Sequence, residues 1–183
     1  MSSSAKMTRQ TLSVLVENSA GVLSQVTRLF SRKGYNIESL AVGVTDDPAV
    51  SRITIILRGT DRMLTLLESQ LSKLLPVISV HRLDRSSAIY REFLLVKVRA
   101  EDKDDRDEII QIANIFRASV VDISKNTLML QLSGDSSKTE AILKLLGDFG
   151  IMEMARTGMI ALERGENTIY DLSKAGAEYE SGK

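Results

Sequence analysis

An α+β chain made of two successive βαββαβ units is the fold class this sequence predicts, and three observations predict it. Short runs alternate apolar and polar residues, as half-buried strands do. Between them the apolar spacing changes to that of amphipathic helices. The resulting order of elements occurs twice along 183 residues. With 43% hydrophobic residues, a chain of that length can bury a real core as one medium domain or two small ones. The divisions are residues 1–9, a small polar start read as disordered, 10–84 for the first unit, 85–163 for the second, and 164–183. In that last stretch periodicity fades into Gly, Ser, Lys and Glu, which predicts a flexible tail.

In the first unit, Leu12, Val14 and Val16 share one face of a strand over Thr11–Glu17. Beyond Gly21 the period changes, and Val22, Leu23, Val26, Leu29 and Phe30 form one helical stripe that Gly34 ends as a left-handed cap. Asn36–Thr45 and Ser51–Arg58 read as a strand pair around the turn chemistry of Asp46-Asp47-Pro48. Asp61 is the expected cap of a second helix, with Leu64, Leu67, Leu71 and Leu74 as its core face. Pro76 then closes it before a strand over Val77–Leu83.

After Asp84-Arg85-Ser86-Ser87 the order repeats. Phe93–Arg99 reads as a strand; Ile109, Ile112, Ala113 and Phe116 mark a helix. Ser119–Ser124 and Thr127–Leu132 pair around Lys125-Asn126. Ser137 with Glu140 forms a capping box for a helix carrying Ile142, Leu145, Leu146 and Phe149, and strands over Ile151–Arg156 and Met159–Leu162 complete the unit. Little residue identity links the halves, so the repeat is one of architecture. Each half should hold one antiparallel sheet with both helices on one face, the ferredoxin-like arrangement. The opposite face of the first sheet carries Leu15, Ile56 and either Ile37 or Leu40, depending on register. That is apolar enough to expect a partner sheet or subunit, and a homodimer is the expectation.

Several kinds of chemistry are excluded. Basic and acidic residues number 24 each, which leaves no global electrostatic bias toward nucleic acid or an anionic membrane. An RNA-binding module with the same element order would stack bases on sheet aromatics, and aromatic residues make up only 4% of the chain. The absence of cysteine removes disulfides, thiolate metal sites and thiol nucleophiles. The sole histidine, His81, lacks the constellation a metal or catalytic site needs and reads as an ordinary strand residue. The acidic run Glu101–Glu108 matches no EF-hand spacing and is interrupted by Lys103 and Arg106; it reads as a solvated loop with helix-start acids. No phosphate-binding glycine loop or nucleophile elbow appears. The expectation is a soluble, non-catalytic protein of the cytoplasm, or of a plastid after removal of a transit peptide.

The turn Asn18-Ser19-Ala20-Gly21 differs from these. A strand entering a helix here aims unpaired amides at one point, where the positive end of the helix dipole also lies, and that point suits a carboxylate. Gly21 permits close approach of a ligand, and Asn36 at the start of the next strand offers both a donor and an acceptor. Local chemistry equally allows that Asn18 or Ser19 caps the helix and Gly21 only relieves crowding.

At these residues a family resemblance enters. The runs Leu12–Leu23, Gly34-Tyr35-Asn36-Ile37-Glu38-Ser39-Leu40 and Thr45-Asp46-Asp47-Pro48 closely resemble the regulatory (small) subunits of acetohydroxyacid synthase, also called acetolactate synthase. Similarity continues through Arg91–Val98, Ile115-Phe116-Arg117 and Ala155-Arg156-Thr157-Gly158, covering roughly residues 8–165. The resemblance implies that the first half is an ACT domain, a module for small regulatory ligands, paired side by side across a dimer. It implies valine, or another branched-chain amino acid such as leucine or isoleucine, at that interface. The ligand would meet the turn Asn18, Ser19, Ala20, Gly21, Val22 and Leu23 of one protomer and Asn36 and Ile37 of the other. Many ACT domains carry proline where this chain has Ala20. The corresponding turn of the second half, Asp102–Asp107, has neither the glycine nor the asparagine, and no amino-acid site is expected there. Catalysis, by the same resemblance, belongs to a separate large subunit that joins two pyruvates, or pyruvate and 2-ketobutyrate, with thiamine diphosphate, magnesium and FAD. This chain would raise that subunit's activity and confer feedback inhibition in branched-chain amino acid biosynthesis. The alternative is an activating subunit that has lost effector binding.

Overall fold

The computed structural model describes residues 7–166 and 168–170. The first βαββαβ set is β1 (Thr8–Glu17), α1 (Val22–Lys33), β2 (Ile37–Val44), β3 (Val50–Gly59), α2 (Asp61–Leu71) and β4 (Val77–Leu83). The second is β5 (Ala88–Arg99), α3 (Lys103–Ile115), β6 (Ser119–Ile123), β7 (Thr127–Gly134), α4 (Ser136–Leu146) and β8 (Ile151–Arg156), followed by the short strand β9 (Ile160–Glu163). The two sheets have the orders β2-β3-β1-β4 and β6-β7-β5-β8, with β9 pairing β5. The same strand order thus recurs in both halves without recurrence of residues. Of the described residues, those through Ile89 and those from Ala161 form one compact unit, and Tyr90–Ile160 forms the other. The expectations for residues 1–6 and 171–183 fall outside the described residues. No helix among the described residues is long and apolar enough to cross a membrane.

Each core lies between one sheet face and two helices. In the first, Leu12, Val14 and Val16 of β1 and Ile53, Ile55 and Leu57 of β3 meet Val26 and Phe30 of α1 and Leu64, Leu67 and Leu71 of α2. Each fully buried side chain of this size contributes about 1.5–3 kcal/mol of transfer free energy, so this face holds the unit together. The second core repeats the plan with Leu94, Val96 and Val98 of β5, Leu128, Leu130 and Leu132 of β7, and Ile109 and Ile142 from α3 and α4.

Three expectations are corrected. The cap of α2 is Thr60, whose hydroxyl accepts from the Met63 amide at 3.3 Å; Asp61 occupies the first turn and meets Arg82 at 3.3 Å. Likewise α4 is capped by Asp135, which accepts from the Lys138 amide at 2.9 Å, and Ser137 lies inside the helix donating to Asp135. Both sites offer adjacent oxygen-bearing residues, and the one with extended backbone becomes the cap.

The third correction concerns the outer sheet face. Pairing of β2 with β3 shifts between Ile37 and Ser39, so Glu38 is an extra, bulged residue. Ile37 therefore pairs with Leu57 and Leu40 with Ile55, and both pack on the core, where an unbroken strand would put one of them outside. Arg9 and Arg58 hold the bulged Glu38 at 3.1 and 2.9 Å. On the outer face itself, Leu15 is 0% and Ile56 2% exposed within the single chain. Leu162, Glu163, Thr168, Ile169 and Tyr170 lie beside Ser13, His81 and Leu83 there. An open apolar face therefore no longer argues for a dimer.

Candidate functional site

The joint between β1 and α1 is built by a left-handed turn at one residue and a tie at another. Gly21 is the N-cap of α1 with φ 85° and ψ −8°, and no side chain caps the helix. A Cβ at Gly21 would meet nothing within 4 Å, so the glycine answers the left-handed backbone and keeps open the space in front of the helix. Neither Asn18 nor Ser19 performs the capping role the sequence allowed them. The Asn18 amide group donates from Nδ2 to the Pro48 carbonyl at 2.9 Å, and its Oδ1 accepts from the Ser51 hydroxyl at 3.1 Å. Its backbone N–H donates to the Ala49 carbonyl at 2.7 Å. Asn18 thus fastens the helix start to the β2–β3 loop, some thirty residues away in sequence.

That loop is rigid in its own right. Asp47 accepts from the Ala49 amide at 2.9 Å, and the Thr45 hydroxyl donates within the loop and accepts from the Asp47 amide at 3.2 Å. The Glu17 amide donates to the Pro76 carbonyl at 2.8 Å, which fixes the other side of the joint. The Thr45-Asp46-Asp47-Pro48 run is therefore a support of the site; spacing alone concealed this, because its partner is distant in the chain.

The amides at the joint divide into two sets. Ser19 donates to Glu17 at 3.0 Å and Val22 to Ser19 at 3.4 Å. Those of Ala20, Gly21, Leu23 and Ser24 have no acceptor among the described residues. They belong to the turn and first residues at the positive end of the helix dipole, beside the open space at Gly21, an arrangement that suits a small anion.

Asn36 and Ile37 do not reach this point within one chain. Through β3, Ile37 stands opposite Leu57 at the level of Gln10, whereas Glu17 stands opposite Val50. From Gln10 to Glu17 is about seven strand residues, or roughly 23 Å. The two predicted halves of the site thus sit at opposite ends of β1. Beside them runs β2, an edge strand that among the described residues pairs with no strand but β3. It carries Val42 and Val44 at 48% and 58% exposure and no charge after Glu38.

In the second half the equivalent joint is closed. Asp102 caps α3 by accepting from the Asp105 amide at 2.8 Å, so the chain's own carboxylate fills the helix start. Arg106 ties it to the β6–β7 loop by donating to the Ser124 carbonyl at 3.0 Å and to the Lys125 carbonyl. The acidic run is a helix start, as its spacing suggested, and among the described residues no group of His, Cys, Asp or Glu could hold a metal. Elsewhere in this half, Arg156 donates to Glu92, which is 6% exposed, at 2.6 Å, and the Phe93 amide donates to the Thr157 hydroxyl at 2.9 Å. Two of the sequence motifs are thereby one clasp.

Comparisons with known proteins agree over both halves. The family model for the AHAS small subunit-like ACT domain matches residues 12–79, and that for the small subunit of acetolactate synthase matches residues 91–165. A protein of Methanothermobacter thermautotrophicus, named as a probable acetolactate synthase small subunit, is 47% identical over 158 residues, covering 86% of this chain and 94% of its own. The acetolactate synthase small subunit of Mycobacterium bovis is 45% identical over 159 residues, covering 87% and 94%. The crystal structure of the acetolactate synthase small subunit of Thermotoga maritima superimposes with a TM-score of 0.82 at 36% identity, covering 87% of this chain and 99% of that one.

Proposed function

The chain belongs to the acetolactate synthase small-subunit family, and on that premise we propose that it is a regulatory, non-catalytic subunit that senses a branched-chain amino acid at the β1–α1 joint. The observation that carries the reading is a helix start that no side chain caps. Among the described residues, four amides around Gly21 are left without acceptors, in a turn locked by Asn18 to the neighbouring loop. The effector's carboxylate accepts from these amides. Asn18 keeps its second Nδ2 hydrogen for the ligand after donating to Pro48.

The other half of the site comes from a second copy. Two β2 edges paired antiparallel about a two-fold axis set the Ile37 end of one strand against the Val44 end of the other. Val44 leads into the loop to which Asn18 is tied. Asn36 and Ile37 of the copy then face the uncapped helix start, which one chain by itself cannot arrange. The edge strand and its half-exposed valines favour this homodimer.

Catalysis, with thiamine diphosphate, magnesium and FAD, belongs on this reading to the large subunit, which this chain activates. Valine, leucine or isoleucine inhibits by binding one arrangement of the dimer more tightly than another, with a coupling of about 1–3 kcal/mol. Calorimetric titration of the purified protein with the three amino acids tests the effector half, and at least one should give a saturable isotherm. Silence for all three, with the large subunit still stimulated, would leave an activating subunit that senses nothing.

A further inference from the structure

A second cleft of about 240 Å³ lies wholly within the first unit, on the sheet face away from its helices. Its floor is Ser13 of β1 and His81 of β4, which stand opposite each other in the strand register. Ser13 is 1% exposed, yet its Oγ has no hydrogen-bond partner among the described residues, and neither has the buried Nε2 of His81. Leaving such groups buried and unpaired is unfavourable, so a floor of this kind calls for an occupant. Burial lowers the proton affinity of His81, against smaller opposing pulls from Glu68 and Glu163, and keeps the ring neutral at pH 7. A neutral imidazole and a hydroxyl can each donate or accept.

Charges and apolar groups divide the walls. Arg52 projects from β3 and forms no ion pair among the described residues. Glu163 enters from the closing segment and is likewise outside any ion pair. Leu83, Leu162 and Ile169 supply the apolar lining. The volume lies below the roughly 300–1,000 Å³ of pockets for drug-sized ligands, which suits a small molecule.

We infer that this cleft is a second small-ligand site, built for an apolar zwitterionic amino acid whose carboxylate pairs with Arg52 and whose ammonium pairs with Glu163. The site is separate from the β1–α1 joint and does not depend on sensing there.

The single histidine gives a direct readout, because the imidazole Cε1–H signal in an NMR spectrum can come from His81 alone and reports on the floor. L-valine and L-leucine, added to about 10 mM so as to populate a millimolar site, should shift that signal in the wild-type protein. The shift should persist in Gly21→Asp, which disables the other site, and should weaken at least tenfold in Arg52→Gln and in Glu163→Gln. The oxo acid 2-oxoisovalerate, which lacks the ammonium, should leave the signal in place. An unmoved signal with both amino acids would mean that the cleft holds water alone and would overturn the inference. Loss of the shift in Gly21→Asp would overturn it too, by tracing the response to the other site. An equal response to the oxo acid, or an unchanged one in folded Glu163→Gln, would refute the zwitterion. Glu163 lies near the end of β9, so that variant keeps the test available if Arg52→Gln fails to fold.

Discussion

The two halves of this chain share a strand order and a strand-to-helix joint, and they finish that joint in opposite ways. In both, a polar side chain ties the joint to the opposite hairpin loop: Asn18 to Pro48, Arg106 to Ser124 and Lys125. In the second half Asp102 then supplies the carboxylate that a helix start attracts. In the first, Gly21 supplies nothing, and four amides lack acceptors among the described residues. On the proposed reading, a fold that can complete itself with its own acid becomes a receptor for another molecule's carboxylate when a glycine stands in that place. Little stability is forgone, since exposed amides bond to water and an N-cap is worth about 0.5–2 kcal/mol.

The sharpest way to break the contrast is to give the first half an acid. Gly21→Asp forces a non-glycine residue into a left-handed backbone at about 1–2 kcal/mol, and its carboxylate opposes the ligand's. Effector binding should fall by on the order of 100-fold while activation of the large subunit persists; inhibition curves for valine with the reconstituted complex measure both. Next in size is Asn36→Ala. If the copy's Asn36 completes the site, affinity should drop by about 1–3 kcal/mol in a calorimetric titration, with the monomer's melting behaviour little changed. An unaltered isotherm would return that residue to a purely structural role.

The converse exchange probes the second half. Asp102→Ala opens its helix start and should cost about 0.5–2 kcal/mol of stability in a urea titration, without creating amino-acid binding, since no left-handed glycine stands there. The smallest effect concerns Asp135, the other acidic cap in this half. The Lys138 amide, and then the Ser137 hydroxyl, hold its carboxyl below the ordinary 3.8. A depressed carboxyl contributes stability above its unfolded value and loses it as pH falls through its folded one. Asp135→Asn should therefore lower the melting temperature slightly at neutrality, with the difference from the wild type shrinking as pH falls below 3.8.

Much of this was legible without coordinates, and the failures share a cause. The strand cores at Leu12, Val14 and Val16 and the stripe Val26, Leu29, Phe30 follow from periodicity, because solvent and core impose it residue by residue. Caps were misplaced at Asp61 and Ser137, where a neighbouring oxygen could do the same work and backbone angle chose between them. At Glu38 a bulge broke the period of two, which pattern reading assumes to be unbroken. The role of Asn18 was hidden for a different reason: its partners Pro48 and Ser51 are near only once the sheet has formed.

The amino-acid sequence by itself determined the order of elements, the glycine at the start of α1, the acid at the start of α3 and the family, since each is written in a short run of residues. Tertiary structure alone decided that Asn18 is a fastener instead of a cap, that Leu15 and Ile56 are covered within the chain, and that Asn36 stands at the far end of the sheet from Gly21. Those facts depend on strand register and on segments distant in the chain, where hydrogen bonds and burial are set by pairing that no local pattern encodes.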